Sequence, residues 1–230
     1  MDLSTRSDLI EELDEQTTDP DTYQLVMTEL AVINRITLTH RPTLRWLAKA
    51  TKGMTEFSVL DVGYGDGDLL RAIAQWASER GLKAKLSGVD LNPRSADAAR
   101  NATPEWMTID FLTGDVFSYT PPQPVDFVVS SQVAHHFTDT QIVSFLGWVD
   151  GTARHGWHIA DLHRHVLPYR VFPALCRVMG WHRITRCDGV ISIARGFRRA
   201  EWQSYLERAC VSATVSWHLP FRYCLSRSDA

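Results

Sequence analysis

The chain has 230 residues, 44% hydrophobic and 22% charged, with a formal net charge of −3. That is enough apolar material for one sizeable core, which excludes intrinsic disorder and a disulfide scaffold. The balance is also not the basic one of a nucleic-acid-binding module.

No run approaches the roughly 18 apolar residues of a membrane span, and the acidic start is unlike a signal peptide. Four scattered cysteines (Cys176, Cys187, Cys210 and Cys224) form no CxxC pair, so a cytoplasmic location is expected. Charge is unevenly spread: residues 1–29 carry nine Asp/Glu against Arg6 alone, and 150–230 carry twelve Arg and six Asp/Glu. The expectation is either a solvated face or packing of the two ends on each other. The alternatives are an arginine-lined entrance for an anionic substrate and contact with a phospholipid surface.

Residues 1–52 read as a helical cap, with Leu25, Val26, Leu30, Ile33 and Ile36 at three- and four-residue steps and Pro42 opening a second segment. Then the period changes. Strands are expected at Phe57–Val62, Ala84–Val89, Trp106–Phe111, Val125–Ser130 and Trp157–Ala160. Helices are expected after the first two of these and over Thr140–Val149. Such alternation means a doubly wound, Rossmann-like parallel sheet with helices on both faces, binding ligands at the strands' carboxyl ends.

Residues 162–198 read as an insertion after the fifth strand, a helix over 162–180 followed by a loop through Asp188-Gly189. A helix over Glu201–Ala209 comes next. Two strands, Ala213–Leu219 and Phe221–Leu225, then meet so tightly at Pro220 that they must be antiparallel. The expectation is a seven-stranded α/β sheet with an antiparallel last strand, the domain proper covering 53–230.

The turn Asp61-Val62-Gly63-Tyr64-Gly65-Asp66-Gly67-Asp68 follows the first strand. A dinucleotide fingerprint fails, because its third glycine falls on Asp68 or Leu70, and three acids would repel a pyrophosphate. A ligand with a cationic end fits better. Asp90, followed by Leu91, closes the second strand 23 residues after Gly67, placed to accept hydrogen bonds from two ribose hydroxyls. Asp115-Val116 suits an adenine amino group and ring face. Together these describe adenosine with a positively charged amino-acid tail, S-adenosylmethionine.

The motifs Asp61-x-Gly63-x-Gly65-x-Gly67, Gly88-Val89-Asp90-Leu91, Gly114-Asp115-Val116 and Asp126-Phe127-Val128-Val129 resemble those of class I S-adenosylmethionine-dependent methyltransferases. The resemblance covers about residues 55–150. It implies cofactor contacts at Asp61, Gly63, Tyr64, Gly65, Gly67, Asp90, Leu91, Asp115 and Val116.

The stretch Ser130 to Asp139 is further similar to small-molecule O-methyltransferases acting on phenols. That likeness puts the general base on His135, with His136 the lesser candidate, and a cofactor contact on Ser131. An imidazole with a pKa of about 6.5 can take the proton of a phenol. In that family a later carboxylate orients the base, and no matching motif is evident here. Asp161 and His163 are the nearest substitutes, sharing a face with His165 if the fifth strand continues.

No metal is expected. The sequence points to a methyltransferase for a small aromatic or phenolic acceptor, with or without a carboxylate or alkyl chain, and leaves the oligomeric state open. C- or N-methylation at the same cofactor site and a non-catalytic scaffold are the alternatives.

Overall fold

The computed structural model describes residues 2–15 and 18–228. A 3-10 turn, Glu12–Glu15, precedes helix α1 (Pro20–Ile36), where Asp19 accepts the Thr22 N–H at 3.0 Å and Pro20 takes the first position. Helix α2 (Arg41–Ala50) completes the N-terminal cap. Strands and helices then alternate: β1 (Glu56–Val62), α3 (Asp68–Ser78), β2 (Lys83–Asp90), α4 (Pro93–Ala102), β3 (Ile109–Thr113), β4 (Val125–Ser131), α5 (Asp139–Thr152) and β5 (Ala153–Leu162). Helices α6 (Val166–Met179) and α7 (Arg183–Arg195) form the insertion. The chain closes with α8 (Arg199–Ala209), β6 (Thr214–His218) and β7 (Arg222–Ser228).

The seven strands form one sheet in the order β3-β2-β1-β4-β5-β7-β6. The first five are parallel, and β7 lies antiparallel between β5 and β6. Alternate residues of β1 serve opposite faces. Leu60 and Val62 join Phe145 of α5 with Trp157 and Trp202, while Phe57 and Val59 join Ile73 of α3 with Phe127. The order reverses between β1 and β4, so the carboxyl ends of these strands open a crevice.

Several boundaries differ from the sequence expectation. The third strand starts at Ile109, leaving Trp106 exposed. The fifth extends to Leu162 and takes in Asp161. His163 and His165 do not continue it: His165 starts α6, its Nδ1 accepting the Leu167 N–H at 3.1 Å. Asp188-Gly189 is not a loop but the middle of α7. Two neighbours explain that. A Cβ on Gly189 would lie 2.1 Å from the Phe172 ring of α6, so glycine allows the two helices to approach. The Asp188 carboxylate accepts the N–H groups of Glu12 and Leu13 instead of capping a turn.

Among the described residues no helix is long and apolar enough to cross a membrane. All four cysteines are free.

Candidate active site

The turn after β1 holds Gly63, Gly65 and Gly67 at φ 70°, 57° and 78°, a left-handed backbone in which side chains are strained. It opens onto a cavity of about 880 Å³, inside the roughly 300–1,000 Å³ range of small-molecule sites. The cavity is walled by the strand ends, α1, α6, α7 and the β6–β7 turn.

Gly63, Gly65, Asp90, Leu91, Asp115, Val116 and Ser131 all line it. Tyr64 also borders it, but its ring packs inward against Phe111. Gly67 lies beneath, its Cα facing the Phe111 ring and Ala99.

Acid dominates this end of the cavity. Asp66, Asp68, Asp90 and Asp115 line it, whereas Asp61 stands behind the lining, 1% exposed, its Oδ1 without a hydrogen-bond partner among the described residues. Burial, with Asp68 and Asp90 nearby, pushes its carboxyl well above the usual range. Burial also raises Asp90, although its two oxygens accept the N–H groups of Gly65 at 2.9 Å and Asn92 at 2.8 Å. Asp66 is paired with Arg71. The Ser131 hydroxyl is buried without a partner among the described residues. An orphaned carboxylate oxygen and an orphaned hydroxyl beside a glycine turn fit S-adenosylmethionine, whose ammonium and ribose hydroxyls can satisfy such groups.

A polar chain absent from the sequence expectation runs along one wall. Asn34 of α1 donates to Asp68 at 2.8 Å and accepts from Gln132 at 2.8 Å. Arg222 of β7 donates to Gln132 at 3.0 Å and to the hydroxyls of Thr37 and Thr39. Its guanidinium is buried, which pulls its pKa down to about 10.

The 3-10 turn Ala134–His136 carries the candidate base. His135 is 2% exposed, and its Nδ1 lies 2.8 Å from Asp161 Oδ1. The structure thus brings together two residues 26 positions apart that no local motif connects. His163 takes other partners: its Nδ1 accepts from Trp217 at 3.1 Å, and its ring sits beside Tyr223 and Phe221 on the cavity wall.

Glu11, from the N-terminal segment, reaches the other side of His135, with Oε1 3.5 Å from Nε2. Burial disfavours the charged ring, but Asp161 and Glu11 outweigh it and push His135 up to about 9. Burial likewise works against the Glu11 carboxylate, yet His136, His135 and Ser192 hold it down at about 2. His136 Nδ1 pairs with Asp14 at 2.9 Å. The guanidinium of Arg195 donates to the carbonyls of His135 and His136, both at 2.8 Å, and so locks the turn. Nothing local in the sequence marks Glu11 or Asp14, because only the fold returns that segment to the strand ends.

Residues 59–156 match the family model of a methyltransferase domain. A curated relative, trans-aconitate 2-methyltransferase from Streptomyces avermitilis, is 34% identical over 101 residues, 43% of this chain. The matched stretch spans only 36% of that relative's length. Magnesium protoporphyrin IX methyltransferase from Synechocystis, solved with bound S-adenosylmethionine, has a TM-score of 0.62 at 13% identity, covering 97% of this chain and 100% of its own. Human N-acetylserotonin methyltransferase, solved with the same molecule, has a TM-score of 0.64 at 16% identity, covering 92% of this chain and 57% of its own. Residues 59–156 are thus similar to a methyltransferase domain, and the whole chain shares the fold of these solved S-adenosylmethionine-dependent methyltransferases.

Proposed function

We propose that the protein is an S-adenosylmethionine-dependent methyltransferase acting on a hydroxyl of a small, largely apolar acceptor, phenolic or polyketide-like. One observation carries the reading. His135, paired with the buried Asp161 at 2.8 Å, stands on the wall of the cavity that the glycine turn also lines.

When bound, the cofactor supplies an electrophilic methyl group on a sulfonium sulfur. Asp61, the backbone of residues 63–67 and Ser131 are assigned to its amino-acid end, Asp90 and Leu91 to the ribose, and Asp115 and Val116 to the adenine. Methyl transfer is an in-line displacement, so the chain's main task is to position the reactants and exclude water. Helices α1 and α6 supply apolar walls for that, among them Leu30, Ile33, Val171 and Phe172. His163 and Phe221 shape the same pocket.

Asp161 accepts from Nδ1 and leaves Nε2 as the nitrogen that takes the acceptor's proton. Glu11 favours the charged ring, so His135 becomes a base only when the acceptor replaces Glu11 at Nε2. His136 packs beside the base, with ring centroids 4.3 Å apart.

Residues 1–52 serve in this reading as a cap, 53–230 as the catalytic domain and 162–198 as its acceptor-side insertion. Four unpaired cysteines support a reducing, cytoplasmic setting.

The test is S-adenosylhomocysteine release over a panel of phenolic and polyketide-like acceptors. His135→Ala should cut turnover by about 10² or more with cofactor affinity unchanged. Wild-type turnover in that variant removes the base assignment.

A further inference from the structure

The proton transfer above uses one nitrogen of His135 and requires Glu11 to be displaced from it, while Asp14 and His136 take no part in it. Glu11 is a carboxylate only 6% exposed, delivered from more than a hundred residues away onto a histidine already paired with another carboxylate. Its 3.5 Å separation from His135 Nε2 is longer than the 2.7–3.2 Å of an ordinary N–H···O hydrogen bond. It is close to roughly 3.4 Å, the edge of a tetrahedron whose N and O ligands stand about 2.1 Å from its centre. Glu11, His135 and His136 can each bring one ligand atom within 4.8 Å of the others.

Each of the three is also held in place. For the two histidines the support is on the far nitrogen, Asp161 accepting from His135 Nδ1 at 2.8 Å and Asp14 from His136 Nδ1 at 2.9 Å; for Glu11 it is on Oε1 itself, the oxygen facing His135, which accepts from the Ser192 hydroxyl at 2.8 Å. A carboxylate on Nδ1 fixes the tautomer that leaves the Nε2 lone pair for an ion, the usual arrangement behind metal-bound histidines. Two histidines built this way, side by side on a turn locked by Arg195, exceed what an ion pair with Glu11 needs.

We propose that Glu11, His135 and His136 form a site for one divalent transition ion of the zinc class. Two imidazoles and a carboxylate suit such an ion, whereas magnesium takes oxygen ligands. Three protein ligands leave the fourth position open, and Glu11, His135 and His136 all border the acceptor cavity. The proposal rests on the acceptor pocket assigned above: with an ion bound, His135 Nε2 would be a ligand rather than a base, and an acceptor hydroxyl at the open position would coordinate as its oxyanion, its proton passing to solvent.

Untagged, chelator-treated protein is titrated calorimetrically with zinc sulfate and separately with magnesium chloride, with circular dichroism as the check on folding. Wild type should bind a single equivalent of zinc with micromolar or tighter affinity and no magnesium. His136→Ala should abolish zinc binding. Asp14→Asn, a partly exposed change that touches only the supporting hydrogen bond, should weaken it about tenfold to a hundredfold. Absence of zinc binding in wild type, or equal binding in both variants, overturns the site and leaves Glu11 and His135 as an ion pair. S-adenosylhomocysteine is titrated in parallel, with and without zinc. Its failure to bind would count against the methyltransferase reading, and its binding alone would leave that reading standing without the metal.

Discussion

Gly63 shows how tightly a single residue is specified at this site. A Cβ there would lie 2.3 Å from Cγ2 of Val133, on a backbone with φ of 70°. The left-handed conformation costs a side chain about 1–2 kcal/mol, and overpacking adds about 1–3 kcal/mol. Gly63→Ala should therefore lower unfolding free energy by about 2 kcal/mol or more in urea denaturation; an unchanged midpoint would contradict the packing. The glycines, Asp90 and Asp115 were legible in the sequence because a turn and two strand ends express themselves within a few residues. The His135–Asp161 contact was legible only as two candidates, since the pairing of β4 with β5 decides whether they meet. Glu11, Asn34 and Arg222 left no local trace.

Among the elements, β5 and α2 meet through a buried histidine. His158 lies 3.2 Å from the Thr43 hydroxyl and packs on the Trp46 ring, centroids 5.5 Å apart. Burial, and then the nearby His218, push its pKa down to about 3. The unfolded chain, with a value near 6.5, binds that proton more readily. This contribution is thus fully present above about pH 6.5 and is lost as pH falls toward 3, at up to about 1.4 kcal/mol per pH unit. His158→Gln should flatten the fall in melting temperature between pH 6.5 and 4 relative to wild type; parallel curves would contradict it.

The elements themselves were largely readable from period and punctuation, with exceptions that have physical causes. Asp188-Gly189 reads as a turn because both residues favour one. In the folded chain Phe172 occupies the space a side chain would need, and Asp188 serves the N-terminal segment.

Across the whole molecule, the acidic beginning and the arginine-rich end meet, which is the packing reading of the charge distribution and not the solvated-face one. Arg183 pairs with Glu12 at 2.8 Å, and Arg195 and Arg198 donate to the carbonyls of Leu9 and Leu3. These contacts lay residues 2–15 against α7 and the segment that follows it and bring Glu11 and Asp14 to the cavity. The cavity therefore has one wall from the Rossmann-like sheet, legible in the motifs, and another from chain ends whose association is tertiary.

The central claim is that the sheet side of this cavity holds S-adenosylmethionine. It is tested most directly by calorimetric titration of the purified protein with S-adenosylhomocysteine, with NADH as control and Asp90→Ala as the disabled variant. The expected result is micromolar binding of S-adenosylhomocysteine alone, weakened at least tenfold in Asp90→Ala. A folded protein that binds NADH instead, or that binds S-adenosylhomocysteine equally well without the Asp90 carboxylate, would contradict it.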